Sequence, residues 1–218
     1  KDEMNMTEKP DLLNFLPEEI KELIKDMGYE GFRAEQIVKW LHRGIKDFNK
    51  MTDLPKPFRQ KLQERFNIGS LEILEKRCSE SRSAIKYLFL LADHNIIECV
   101  VMRYRYGNTL CLSTQVGCRM GCKFCASTMD GLVRNLSAGE MLEQVLKVDT
   151  DLKEGGENAL GNLVLMGSGE PLDNYENTIK FLKMVHYPLG KNMSYRNITV
   201  STCGLEPEII QLSEEGLP

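Results

Sequence analysis

The hydrophobic positions of this chain follow three spacings in turn, and each spacing predicts a different kind of element. Over residues 11–66 the spacing is helical. Pro17, with Glu18 and Glu19 behind it, marks a helix start; Ile20, Leu23 and Ile24 share one face, and Gly28 and Gly31 close the run. A second helix over 33–42 aligns Ile37, Val38 and Leu41, with Trp40 beside them and Gly44 as the stop. A third begins after Pro55 and Pro57 and repeats Phe58, Leu62 and Phe66 at every fourth position between charged residues. These segments predict a small helical bundle with Trp40 and Phe66 in its core rather than on a base-stacking platform.

Between 71 and 103 the period shortens. Runs rich in β-formers at 84–90 and 95–102, separated by the turn-like Ala92, Asp93 and His94, predict a short antiparallel sheet. Glu98 interrupts the apolar stretch IIECVVM. It either faces solvent on a one-sided strand or points inward, where desolvation would raise its pKa and suit it to proton transfer. After Gly107 the pattern becomes β then α three times. Strands are predicted over 109–114, 163–166 and 196–202, and a helix opens at Ser137 with Glu140 completing a capping box and Met141, Val145 and Val148 on one face. A second helix covers 175–185, and a short last one runs through Pro207, Ile209 and Leu212. Alternating units of this kind build a parallel sheet with right-handed crossovers and place active sites at the C-terminal ends of the strands. All three strand exits carry unusual chemistry: cysteines, then GSGEP, then STCG.

Composition narrows the setting. With 218 residues, 42% hydrophobic and 28% charged, the chain can bury a sizeable core in one large or two small domains. No apolar run approaches a membrane span, and the polar start KDEMNMTEKP has no signal-peptide core, so a soluble cytoplasmic protein without a membrane partner is expected. A net charge of -4 argues against indiscriminate nucleic-acid affinity. Local basic sets remain, Lys50, Lys56, Arg59, Lys61 and Arg65 in one, Arg103 and Arg105 around Tyr104 with Tyr106 after in another, each a solvated face or an RNA track.

Seven cysteines, an odd number without an export signal, fit reduced thiols and metal ligation better than a disulfide framework. Cys118, Cys122 and Cys125 stand as C-x3-C-x2-C within TLCLSTQVGCRMGCKFCASTMD, with Cys111 upstream. Three thiols on so short a loop can wrap one soft metal centre. Four-thiolate iron-sulfur and zinc sites need a fourth ligand, so an iron here would stay open to a small molecule. With Cys111 as fourth ligand, a zinc or iron-sulfur RNA-binding module without enzymatic activity is the competing reading. Cys78, Cys99 and Cys203 read as core. In GSGEP the glycines let backbone approach a ligand, and Glu170 can accept hydrogen bonds from an ammonium group, as Ser201 can bond the same ligand from the next strand end. A tight turn and a strand-end hydroxyl explain the same residues.

Four separated blocks, LCLSTQVGCRMGCKFCAST, GLVRNLSAGEMLEQV, LVLMGSGEPLDNYENT and ITVSTCGLEPEI, with FRAEQIVKWLHRGIKDFNKMTDLPK ahead of them, resemble the radical S-adenosyl-L-methionine (SAM) superfamily and, within it, the RlmN and Cfr rRNA adenine methyltransferases. The resemblance implies an α/β fold in three parts. These are an N-terminal helical accessory, RNA-recognising bundle (1–68), a small antiparallel β extension (69–107) and the first half of a partial (βα)6 radical SAM barrel (108–218). It implies a four-iron four-sulfur (4Fe-4S) cluster on Cys118, Cys122 and Cys125, whose open iron binds the amino and carboxylate groups of SAM. Gly169, Glu170 and Ser201 would contact SAM, and Phe124 would lie near its adenine. One electron from a donor such as flavodoxin or ferredoxin would cleave SAM to a 5'-deoxyadenosyl radical.

The same resemblance implies transfer of the methyl group through a methylcysteine. Cys111 would resolve the protein–RNA thioether by forming a disulfide, and Glu98 would be the proton acceptor, which favours its inward orientation. The implied substrate is carbon 2 of an adenosine in 23S rRNA, with a tRNA adenosine beside the anticodon, because Val116 in QVGC resembles the RlmN pattern. A Cfr-type carbon-8 methyltransferase giving antibiotic resistance is the alternative. In the family the methyl-carrying cysteine lies further downstream, and this sequence stops at Pro218 after three of six βα units. A C-terminally truncated piece, unable by itself to complete methylation, is therefore expected.

Overall fold

The structure, a computed structural model, describes residues 9–217. The first eight residues of the polar start, and Pro218, lie outside the described residues. Helices α1 (Pro17–Asp26), α2 (Arg33–Leu41) and α3 (Lys56–Arg65) form where the helical spacing predicts them. Their apolar faces meet, burying Ile20, Ile24, Ile37, Val38, Leu41, Phe58 and Leu62. Phe66 joins this core. Trp40 does not go fully inside: it is half-buried at the rim, where its indole N–H donates to Asp53 (2.5 Å) and Arg43 lies over its ring.

Strands β1 (Glu72–Cys78), β2 (Ala84–Leu90), β3 (Ile96–Tyr104) and β4 (Gly107–Leu112) run as an antiparallel meander. A separate two-stranded hairpin, β5 (Gln115–Gly117) with β6 (Leu132–Asn135), follows. Helix α4 (Ala138–Glu154) then leads to β7 (Leu160–Leu165), α5 (Tyr175–His186) leads to β8 (Ile198–Val200), and α6 (Glu206–Glu214) follows. The main sheet has the order β1-β2-β3-β4-β7-β8, so the antiparallel extension and the parallel βα units are one continuous sheet. Strand β4 is the joint: Cys111 registers with Val100 on its antiparallel side and with Val164 on its parallel side.

Alternation along the strands decides the two faces. Ile97, Cys99 and Val101 of β3, Leu110 and Leu112 of β4, and Leu163 and Leu165 of β7 are buried. Glu98, Val100 and Cys111 project to the opposite, more open face. Helix α4 is buried nearly all round, Glu143 and Gln144 included, because the sheet covers one side and the N-terminal bundle the other. Its capping box forms as predicted: Ser137 Oγ accepts from the Glu140 N–H (3.2 Å), and the Glu140 carboxylate accepts from the Ser137 N–H (2.8 Å).

Polar contacts lock the bundle onto this helix and its neighbours. The Gly139 N–H donates to Asn14 Oδ1 (2.7 Å). The buried Glu143 carboxylate accepts from the N–H groups of Ser70 (2.9 Å) and Leu71 (3.1 Å) and from the Lys46 ammonium. The Lys191 N–H donates to His42 Nδ1 (3.0 Å). One hydrophobic core accordingly runs from the bundle through α4 to the sheet. Among the described residues no helix is long and apolar enough to cross a membrane.

Candidate active site at the strand exits

Where β4 ends, Ser113 makes four hydrogen bonds that fix the exit. Its hydroxyl donates to the Glu98 carbonyl (2.6 Å) and accepts from the Ser168 N–H (2.9 Å). Its N–H and carbonyl are both held by the Gln144 side-chain amide, each at 3.0 Å. The Ser168 carbonyl in turn accepts from the N–H groups of Thr114 (2.9 Å) and Gln115 (3.1 Å). The β7 exit thus lies directly against the β4 exit. Gly167 permits this approach, since a Cβ there would stand 2.6 Å from the Leu112 carbonyl oxygen. Gly169 has φ +105° and leaves no room for a Cβ, which would fall 2.5 Å from that of Gln115.

The cysteine loop springs from the β5/β6 hairpin, which closes it at the neck. The Cys118 N–H donates to the Gly131 carbonyl (2.9 Å), and Gly117, at φ +73°, passes so close that a Cβ would overlap the same oxygen. Gln115 binds the neck to the second exit, donating to Asn135 (2.8 Å) and Asp173 (2.9 Å) and accepting from the Glu170 N–H (2.8 Å). Asn174 adds two donations, to the carbonyls of Thr114 (2.8 Å) and Leu136 (2.7 Å). Arg134 of β6 pairs with both Asp93 and Glu140, and its guanidinium holds the Asp93 carboxyl down to about 2.

These exits enclose a cavity of about 280 Å³ lined by Cys118, Cys122, Cys125, Phe124, Gly169, Glu170 and Ser201. Six of the eight residues expected at the site are therefore gathered in one place. Glu170 is buried and spans two exits, its carboxylate accepting from the Leu172 N–H (3.0 Å) and the Cys203 N–H (2.7 Å). Burial pushes the Cys118 thiol up. Among the described residues no three His, Cys, Asp or Glu side chains are close enough to share one metal ion. A structural zinc site needs four protein ligands, whereas three thiolates can hold three irons of a cubane cluster and leave the fourth open.

Cys111 and Glu98 do not line this cavity; they sit beside it on the open face of the sheet. Cys111 registers with Val164 of β7, two residues before Met166, which does line the cavity, and burial raises its thiol, with the Glu98 charge acting in the same direction. Glu98 does not have the inward orientation expected of it. Its carboxylate is about half exposed and pairs with Lys86 at 2.8 Å, because strand alternation sends Ile97 and Cys99 to the core and Glu98 away from it. Cys78 and Cys203 are also not core residues: both are exposed, one at the end of the outermost strand and the other in the STCG turn. All seven cysteines are free. Sequence reasoning missed Ser113, Gln115, Gln144 and Asn174, whose signal is only a polar residue at a buried position beside a strand end.

Comparison with known proteins gives consistent results. Residues 10–68 match the family described as ribosomal RNA large subunit methyltransferase N-terminal domain, and residues 112–217 match the radical SAM superfamily. The chain is 51% identical over 211 residues to a protein of Alkaliphilus oremlandii named probable dual-specificity RNA methyltransferase RlmN, covering 97% of this chain and 60% of that one. A protein of the same name from Clostridium beijerinckii is 48% identical, over 94% of this chain and 57% of its own length. Among solved structures, a radical SAM methyltransferase from Sphaerobacter thermophilus superposes with a TM-score of 0.89 at 40% identity, covering 95% of this chain and 61% of that chain. The chain thus spans about 60% of the length of such relatives.

Proposed function

Because the chain belongs to the radical SAM methyltransferase family of RlmN type, we propose that the protein is a SAM-dependent RNA methyltransferase acting on carbon 2 of an adenosine. The substrates are 23S rRNA and a tRNA adenosine beside the anticodon, in the cytoplasm. The observation that carries this reading is the cavity in which three loop thiols face Gly169, Glu170 and Ser201 across the exits of β4, β7 and β8. Its donor set fits a 4Fe-4S cluster: three thiols lining one cavity would leave one iron without a ligand from the loop, beside a buried carboxylate. The cluster and SAM, when bound, supply one-electron chemistry that can functionalise an electrophilic adenine carbon.

This chain's residues bind, orient and shield. Cys118, Cys122 and Cys125 would hold the cluster. Glu170 takes the ammonium group of SAM on lone pairs left over from its two backbone bonds, and Gly169 and Ser201 complete that contact. Met166 and Phe124, exposed on the cavity wall, provide apolar surface against which a nucleoside can lie. Cys111 is the thiol that releases the modified base, forming a disulfide with the cysteine that carried the methyl group as the thioether breaks. Glu98, on the same sheet face, takes the proton from the modified carbon. Residues 1–68 serve as the RNA-recognising accessory domain, 69–107 as the β extension and 108–218 as the radical SAM core. A flavodoxin or ferredoxin supplies the electron.

Anaerobic reconstitution of the chain with iron and sulfide tests the reading. The expected product carries four irons and four sulfides, and its reduced EPR spectrum shifts when SAM is added. Zinc without sulfide, or a spectrum indifferent to SAM, would sink it. Mass spectrometry of 23S rRNA from a strain lacking the gene, with and without complementation, locates the methyl group and so tests carbon 2.

A further inference from the structure

Cys203 has no part in the function proposed above, yet its thiol opens onto the same cavity as Cys118, Cys122 and Cys125. It sits in the turn after β8, whose shape is set by other groups: Gly204, at φ +105°, donates its N–H to Thr202 Oγ1 (3.1 Å). The Cys203 side chain is exposed and packs no core, so neither the turn nor the interior asks for a thiol there. Its position is nonetheless tightly held. The Cys203 N–H donates to Glu170 Oε2 at 2.7 Å.

We propose that Cys203 is a fourth, exchangeable thiolate ligand, which caps the otherwise open iron of the cluster when SAM is absent. This rests on the reading of the cavity as a cluster site. Four thiolates are the ordinary complement of a 4Fe-4S cluster, and here three come from one loop and the fourth from a strand exit across the cavity. Glu170 couples the cap to the ligand, because the carboxylate that positions Cys203 is the one that would take the amino group of SAM. On SAM binding the iron–sulfur bond to Cys203 would break as bonds from the iron to the SAM nitrogen and carboxylate oxygen form, and the freed thiolate would take up the proton that the SAM ammonium gives up to become a ligand. No electron moves in the exchange.

The test compares the full chain with Cys203→Ala and Cys203→Ser after anaerobic reconstitution. Both substitutions keep the backbone bond to Glu170, and the exposed side chain makes loss of folding no concern. Two readouts do not depend on activity. The first is the rate at which ferricyanide converts the 4Fe-4S cluster to a three-iron form, followed by EPR without SAM. The second is SAM affinity, from titration of the reduced cluster's EPR signal. If the cap occupies about nine-tenths of the molecules, Cys203→Ala should lose iron roughly tenfold faster and bind SAM roughly tenfold tighter. Saturating SAM should bring the iron-loss rates of all three proteins together. Equal rates and equal affinities without SAM would overturn the cap while leaving the cluster site intact. Failure of the unsubstituted chain itself to hold four irons would instead overturn the cluster reading, and the cap with it.

Discussion

Gln144 offers the most direct test of how the site is held. It is fully buried on α4, and its amide grips both backbone groups of Ser113, accepting from the N–H and donating to the carbonyl at 3.0 Å each. Gln144→Ala removes both bonds where water cannot replace them. Each orphaned backbone group costs about 1–3 kcal/mol, so the loss should be roughly 2–6 kcal/mol. That is a large share of the ~5–15 kcal/mol by which a domain is stable. Gln144→Glu separates hydrogen bonding from packing, because it keeps the volume and the acceptor for the Ser113 N–H but sets a carboxylate oxygen against the Ser113 carbonyl. Burial raises the pKa of the introduced carboxyl, and its protonated form can donate as the amide does. The folded state of this variant then binds its proton more tightly than the unfolded state. Its stability should be fullest below about pH 4.3, the unfolded carboxyl value, and should fall as pH rises through the folded value. Urea unfolding followed by circular dichroism at several pH values, each referenced to the unsubstituted chain, reads both effects. A Gln144→Ala variant within about 0.5 kcal/mol of the parent, or a Gln144→Glu deficit that does not shrink on acidification, would refute the reasoning.

Two further predictions concern the frame around the site. Burial lowers the His42 pKa from 6.5 to about 4, and its Nδ1 accepts the Lys191 N–H, so the folded protein resists protonation that the unfolded chain accepts. Stability from this group is complete above pH 6.5 and is lost as pH falls toward 4, by on the order of 3 kcal/mol. His42→Asn, which keeps an acceptor without a titrating ring, should flatten that part of the pH–stability curve. Gly169→Ala should cost about 1–3 kcal/mol and abolish the effect of SAM on the cluster spectrum, because φ is +105° and Gln115 fills the space. Gly161→Ala is the control, since a Cβ there meets nothing nearer than 3.8 Å, and thermal melts should show it unchanged.

The helices and the longer strands were legible because their periods extend over several repeats: α2 starts at Arg33, β2 spans 84–90, and Ser137 caps α4, as the pattern predicts. Strand β1 was not, because its outer position leaves most of its residues exposed and removes the alternation. The strands β5 and β6, with three and four residues, are too short to carry any period. Helix α4 was read as one-sided from Met141, Val145 and Val148, and its second buried side follows only from the bundle docking there. At the site, the cysteine spacing and GSGEP were visible as local sequence. The orientation of Glu98 was not, since Val100 and Met102 on its own face are apolar too, so IIECVVM shows no alternation that tells the buried face from the open one. The pairing of Gln144 with Ser113 joins residues 31 apart and leaves no local trace at all.

The neck of the cysteine loop makes residues 118–131 a ring already closed before any ligand arrives. In a ring, the entropy of bringing the ends together belongs to folding and is not charged again to ligand binding. Changes of shape inside it also have no slack to pull on β4 or α4. Assembly of a cluster can therefore rearrange the thiols as an internal motion of the ring, while the register of the sheet, and with it the spacing between the strand exits, stays the same whether the ring is filled or empty.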